Sequence, residues 1–425
     1  MRIAVVGSGI SGLASAWLLS RQHQVTLFEA EARLGGHTHT HEIEVGGRRH
    51  RVDSGFIVCN PLNYPLFFAM LDELGVATQP TTMSFAVKSA RTGLEYNAGS
   101  NGGLFVQKRR LFSLRHWRML SDILRFYREA PALLQRDDAG PSLGEYLEAN
   151  RYSDGFCDDH LLPMASALWS SPSQQIRQFP AKYLLAFMAN HHMLQVNDRP
   201  EWRVVRNGSS SYIEAMTAAW QVQVRTACPV RAVRRSATGV EVDVDAGTEH
   251  FDQIVLACHS DQALALLADP SEREQAILGA IGFQRNDTVL HTDASMLPND
   301  RRAWAAWNAL IPRDESEQCT VSYCMNLLQS IDCPEPLVVT LNRSDAIDPE
   351  RILARMPYQH PIYTQASVAA QARKREVSGQ RNTWYCGAYW GWGFHEDGMR
   401  SAMDVVQGLG VRWPATSSNS RANVA

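Results

Sequence analysis

Gly7, Gly9 and Gly12 follow one another as G-x-G-x-x-G, with Ser8, Ile10 and Ser11 between them, and Glu29 stands further along. This spacing serves phosphate binding rather than proton transfer. The first glycine permits a sharp turn, the second lets backbone approach a pyrophosphate, and the third lets a helix pack closely on a strand. An acid at the end of the following strand is placed for ribose hydroxyls. Near the other end, Gly387, Gly391 and Gly398 are interleaved with Tyr389, Trp390, His395, Glu396 and Asp397. That is a second glycine-rich turn leading into a helix, and a helix start attracts anions through its unpaired N–H groups and dipole. No Ser-His-Asp, paired-carboxylate or thiol constellation competes with this nucleotide chemistry.

The elements around these residues agree. Ile3, Ala4, Val5 and Val6 read as a strand buried on both faces, as in a parallel sheet. A helix follows, and Val25-Thr26-Leu27-Phe28 forms the next strand, ending on Glu29. After Gly36 the chain reads as a β-hairpin turning at Gly46-Gly47. Alternation there puts His37, His39 and His41 on one face, which fits metal ligation. A glycine-rich loop feeding a strand explains the same segment without a metal, and none is assigned. Asn63 to Leu74 is an amphipathic helix, stopped by Gly75. Ser84 to Lys88 and Leu94 to Tyr96 pair as strands. Leu104 to Leu134 is helical in pattern and locally basic, from Lys108 and Arg109 to Arg128, with Phe112, Trp117 and Phe126 interleaved. It fits either a solvated helix face or docking on an anionic membrane surface. Strands are expected again at 230–235, 240–244, 251–258, 288–292, 320–326 and 337–342.

Glu29-Ala30-Glu-Ala-Arg33-Leu-Gly35-Gly36 resembles the E-x-x-x-R-x-G-G continuation of flavoproteins in the amine oxidase and phytoene desaturase superfamily. The resemblance implies FAD, with Arg33 meeting its phosphates and His37 beside the flavin. Asp53-Ser54-Gly55 resembles the D-x-G that ends the same hairpin, its backbone close to the isoalloxazine. Asn207-Gly208 stands where relatives carry G-G before a long helix. Val230 matches a position that pairs with the adenine through its backbone. Thr383 to Met403 looks like the C-terminal FAD motif, with Gly387 and Gly398 as anchors. The wording G-x-G-F-H-E-D-G is similar to a subgroup of predicted NAD/FAD-binding proteins that accompany cyclopropane-fatty-acid-synthase-like enzymes, and the likeness covers nearly the whole chain. In that family two aromatics commonly face the flavin with a lysine near its reactive nitrogen. Tyr389, Trp390, Trp392 and Phe394 are available for the first feature, and no lysine fits the second by motif. The likeness also makes His160 to Pro172 a substrate-cavity wall and leaves His395 and Tyr389 as catalytic candidates near the ring.

The bulk properties suit this reading. The chain has 425 residues, 45% of them hydrophobic, and a formal net charge of −3, which argues against a nucleic-acid partner. The eight cysteines show no C-x-x-C pair and read as free thiols in a reducing cytoplasm. No apolar run is long enough to span a bilayer, and the first strand leaves no room for a signal peptide. The fold expected is α/β: a Rossmann-like FAD-binding domain of the amine-oxidase type, built from 1–60, 200–269 and 376–413. An α+β substrate domain is inserted at 61–199 and 270–375, and 414–425 forms a disordered tail. The function expected is oxidation or desaturation of a hydrophobic substrate, an acyl lipid, by hydride transfer to noncovalent FAD. Amine oxidation is the second reading. A noncatalytic flavoprotein partner of a lipid methyltransferase is the third.

Overall fold

Ile3, Ala4 and Val5 are wholly buried, because Arg2–Val6 is the middle strand of a five-stranded parallel sheet. Its order is Val222–Arg225, Gln24–Phe28, Arg2–Val6, Gln253–Leu256 and Thr383–Tyr385, drawn from distant parts of the sequence. The computed structural model describes residues 1–99, 101–169, 173–313 and 320–413. The expected tail at 414–425 and the end of the expected cavity wall, Ser170 to Pro172, lie outside the described residues.

The helix Ile10–Leu19 and the last helix, His395–Gly408, pack together on one face of this sheet. Leu13, Leu18, Met399 and Val405 form their shared core with Val5 and Val255. The other face is covered by an antiparallel sheet of Val230–Arg235, Val240–Val244 and Gly247–Phe251, whose valines bury Ala4, Val6 and Phe28. The strand expected at 251–258 is Gln253–Leu256 of the parallel sheet, buried as expected, while Phe251 closes the third strand of the antiparallel sheet. Ile277, Leu278, Ile281 and Ala370 belong to this same core. The boundaries expected at 270 and 375 therefore fall inside a shared apolar layer, since the helix Glu272–Leu278 packs on Ser260–Leu266.

A seven-stranded sheet stands beside the nucleotide domain. Its order is Ile352–Pro361, Phe283–His291, Val338–Leu341, Thr320–Cys324, Trp307–Ile311, Phe85–Ser89 and Glu95–Asn97. All its pairings are antiparallel except that of Trp307–Ile311 with Phe85–Ser89. A helical layer, including Leu114–Glu129, Leu162–Trp169 and Ala181–Asn190, packs around Phe126, Phe156, Leu184 and Phe187. The basic stretch is not one continuous helix. A 3-10 turn, Lys108–Phe112, ends at Ser113, whose hydroxyl accepts the His116 N–H at 3.3 Å and starts a new helix. Met119 and Phe126 face the core, whereas Phe112 is 91% and Leu114 78% exposed. Among the described residues no helix is long and apolar enough to cross a membrane.

Candidate active site

One cavity of about 980 Å³ runs from the glycine turn of the first strand into the space between the seven-stranded sheet and the helical layer. At the nucleotide end its wall is Gly7 to Ser11, Glu29, Ala30, Gly35, Gly36 and Val230. Gly7 has a φ of +99°, and a side chain there would press on the Ala257 carbonyl. A Cβ on Gly9 would meet nothing within 4 Å, because that position faces the cavity. Gly36 passes close behind it: a Cβ on Gly36 would lie 3.2 Å from Gly9 Cα. Gly12 stands apart from the wall, where a Cβ would sit 1.9 Å from the Gly7 carbonyl oxygen; its lack of a side chain lets helix and strand meet.

Glu29 is held by the Ser8 amide at 2.9 Å and the Ser8 hydroxyl at 2.5 Å, and it accepts the Glu31 N–H at 2.9 Å. Two oxygens carry about four acceptor sites, so capacity remains for hydroxyls entering the cavity. The helix Ile10–Leu19 begins at the wall with Gly9 as its cap residue and no side-chain cap. Its first-turn amides are open to an anion. His37 lines the wall further in, with its Nε2 buried and unpartnered and its ring stacked on Tyr358 at 4.9 Å. Burial and the neighbouring His360 hold this imidazole well below its ordinary pKa, so it is neutral. An open glycine face, an uncapped helix start, an oriented carboxylate and an orphaned ring nitrogen together fit a long phosphate-bearing flavin.

Ser54 and Gly55 also line the cavity. Ser54 Oγ is 2.7 Å from the Tyr358 hydroxyl and 2.8 Å from His41 Nε2. The three histidines of the hairpin do not converge. The rings of His39 and His41 are 3.8 Å apart, while His37 is turned to Tyr358. Among the described residues no group of three or more His, Cys, Asp or Glu is disposed to hold a metal.

Several residues read as cofactor contacts have other duties. Arg33 donates to the carbonyls of Gly36 (2.7 Å) and Thr38 (3.2 Å), clamping the glycine loop, and its side chain does not line the cavity. Asp53 is buried behind the wall, where its carboxylate takes the Ser209 N–H (2.9 Å), the Thr40 hydroxyl (2.6 Å) and Gln329 Nε2 (3.0 Å). Burial pushes its pKa up to about 6. Gly387 and Tyr389 line the cavity, but Trp390 and Gly391 do not. A side chain on Gly391 would strike the Asp397 carboxylate, and Asp397 itself accepts the Phe394 N–H at 3.0 Å. Gly398 marks the crossing of the two packed helices, where a Cβ would lie 2.6 Å from Ile10. Glu396 accepts the Leu66 and Phe67 N–H groups, both at 3.1 Å, and so caps the helix Pro65–Glu73. Replacing Glu396 by alanine leaves two buried donors unpaired and is expected to destabilise the protein by about 2–4 kcal/mol. Urea denaturation checks this, with E396Q intermediate; an E396A midpoint equal to wild type would refute the cap.

The catalytic candidates both reach the wall. His395 begins the last helix, with its ring stacked on Phe56 at 3.4 Å and Nε2 3.0 Å from Thr38 Oγ1. Burial lowers its pKa to about 3. It is a neutral ring with its nitrogen engaged, suited to positioning rather than to general acid catalysis at neutral pH. Tyr389 is buried against Phe283, and its phenol is pushed far above its usual range. The inner chamber is lined by Met164, Leu168, Trp169, Phe187, Trp307 and Tyr323. Of these, Met164, Leu168 and Trp169 lie in the stretch the likeness made a cavity wall, and Phe187, Trp307 and Tyr323 are added by the fold.

Comparison with known proteins agrees with this architecture. Residues 10–289 match the family of flavin containing amine oxidoreductases. The Mycobacterium tuberculosis protein named as a flavin-containing monoamine oxidase, AofH, is 26% identical over 278 residues, 63% of this chain and 59% of that protein. The matched part thus spans less than two thirds of that relative. Among solved structures, a CLA-producing fatty acid isomerase from P. acnes superposes with a TM-score of 0.68 at 16% identity, covering 96% of this chain and 99% of that one. Cyclohexylamine oxidase from Brevibacterium oxydans gives 0.66 at 13% identity, with 96% and 99% coverage. These two likenesses are of fold. With its glycine cradle, parallel sheet and matched residues, the chain belongs to the flavin containing amine oxidoreductase family.

Proposed function

We propose that this protein is an FAD-dependent oxidoreductase that oxidises or desaturates a hydrophobic substrate, a fatty-acyl lipid. The observation that carries this is the chamber itself, an apolar room of aromatic and methionine side chains opening directly from the nucleotide cradle. Bound flavin supplies the hydride acceptor. The chain's own part is to orient the substrate, exclude water and hold neutral rings, such as His37 and His395, around the reacting face. An amine reading asks for a lysine near the flavin, and no lysine lines the cavity. Of the four in the sequence, Lys108 is exposed, and the others are engaged elsewhere: Lys88 with the Ser295 and Leu297 carbonyls, Lys182 with the Asp138 carbonyl, and Lys374 with Asp404. The exposed Phe112 and Leu114 beside Lys108 and Arg109 support a substrate drawn from an anionic membrane surface.

The purified protein is expected to show a flavin spectrum and to release FAD on denaturation. Anaerobic titration then separates the readings. Bleaching by long-chain acyl compounds supports a lipid enzyme, and bleaching by amines alone would replace it with amine oxidation. A flavin reduced by neither would leave the accessory role beside a lipid methyltransferase.

A further inference from the structure

The chamber is apolar along most of its length but ends in a polar cluster contributed by three separate elements: Tyr127, His160 and Arg199. His160, Met164 and Leu168 recur every four residues along one helical face and all line the cavity. At 1.5 Å per residue they span about 12 Å from the polar end towards the flavin segment. At the other end of that face, Trp169 Nε1 donates to the Trp392 carbonyl at 3.2 Å, so the same helix abuts the C-terminal cofactor segment. The cluster and the cofactor segment are thus opposite ends of one channel.

The hydrogen bonding of the cluster defines what it lacks. The Tyr96 hydroxyl donates to the Asp159 carbonyl at 2.9 Å, so His160 Nδ1, also 2.9 Å away, must be the donor to Tyr96. That tautomer leaves Nε2 as an acceptor, and it is buried without a partner. Burial holds the imidazole down at a pKa of about 4, so the lone pair is free at neutral pH. Arg199 Nε donates to the Gln195 carbonyl at 3.2 Å. Its guanidinium faces the Tyr127 hydroxyl and is close enough to act on His160. Its neighbour Glu201 is taken by Arg203, and among the described residues Arg199 has no acidic partner. A cation without an anion and a buried acceptor without a donor therefore border the same space.

We propose that this cluster binds the carboxyl group of the substrate. One carboxylate oxygen accepts from Arg199 and Tyr127; binding takes up one proton from solvent, which the other oxygen shares with His160 Nε2. The alkyl chain then lies along Met164 and Leu168, so the anchor sets how far from the head group the flavin meets the chain. The inference rests on the reading of the chamber as the substrate room, and it narrows that substrate to a free acid. An ester carries no charge to pair with Arg199 and takes up no proton to share with Nε2, so it fills the channel without satisfying the cluster.

The test is equilibrium binding to the FAD-loaded protein, read as perturbation of the flavin absorbance, with oleic acid, methyl oleate and L-phenylalanine as probes. Wild type is expected to bind oleic acid at least ten-fold tighter than methyl oleate. R199Q should reduce that preference to two-fold or less, with FAD content and methyl oleate affinity unchanged; Y127F should reduce it partly. Equal affinity for acid and ester in wild type, or a preference that survives R199Q, overturns the anchor. Binding of phenylalanine but not oleic acid, lost in R199Q, would keep the carboxyl site and assign it to a short amino acid. An Arg199-dependent preference without any flavin reduction supports the anchor while refuting lipid oxidation. Reduction by acid and ester alike does the reverse.

Discussion

Gly9→Val is expected to give a folded, colourless protein. The backbone at Gly9 has an ordinary φ of −62°, and a side chain there meets no protein atom within 4 Å. Valine at a helix cap costs about 1 kcal/mol, which a chain of this size tolerates. The side chain instead fills the place where the cofactor's phosphates approach the helix start. FAD affinity should fall by at least ~100-fold, about 2.7 kcal/mol, with an unchanged circular dichroism spectrum and almost no flavin absorbance. Gly12→Ala should behave oppositely. Its Cβ would lie 1.9 Å from a backbone oxygen that cannot move without separating helix from strand. We expect insoluble or unfolded protein, from a cost of about 3 kcal/mol or more. A yellow G9V protein with full flavin content would remove the glycine turn from the cofactor site.

Mild acid should unfold the protein steeply. Burial holds His160, His191, His291 and His360 down to about 4 and His395 to about 3, with His37 well below its ordinary value. A histidine with a depressed folded pKa contributes stability that is present above 6.5 and lost as the pH falls towards the folded value. Three carboxyls oppose this: burial raises Asp53 and Asp397 to about 6 and Glu396 to about 7. Their contribution is present at low pH and lost as the pH rises through 6 to 7. The six histidines outweigh them. His39 and His41, held down to about 3 and about 4, add to these six, so near pH 5 the unfolded chain binds more protons than the folded one and stability falls as the pH falls. Urea midpoints at pH 7, 6 and 5 should fall in that order. A midpoint that holds or rises at pH 5 would mean that these imidazoles are already charged inside the fold.

The nucleotide half was legible because its signals are local. A strand, three glycines, a helix and an acid occur within the first 29 residues, and each follows from backbone sterics or from charge at a helix end. What the sequence could not show is direction. Glu396 and Asp397 sit within the motif, yet one caps a helix more than 300 residues earlier and the other caps its own. Arg33 has the right charge for phosphate, but its guanidinium turns to carbonyls of its own loop. The strand Ile352–Pro361 escaped notice because Pro357 interrupts its pattern; it is tolerated at the edge of the sheet, where a missing N–H costs no inner partner. Tyr127 and Arg199 belong to elements with no common spacing, so only the folded chain brings them to one wall.

The crossing of the first helix with the last, at Gly398 over Ile10, has a consequence for how this protein is made. Nascent domains tend to fold as they emerge, at about 5–20 residues per second. The ribosome therefore needs on the order of 20–80 s to travel from the first glycine turn to the last one. Throughout that interval Leu13 and Leu18 lack the Met399 and Val405 that cover them in the finished protein. A polypeptide cut short before residue 395 keeps its G-x-G-x-x-G and still has an incomplete cradle. Flavin capture is therefore expected only of a chain translated to its last helix, and products truncated before residue 395 are expected to be colourless.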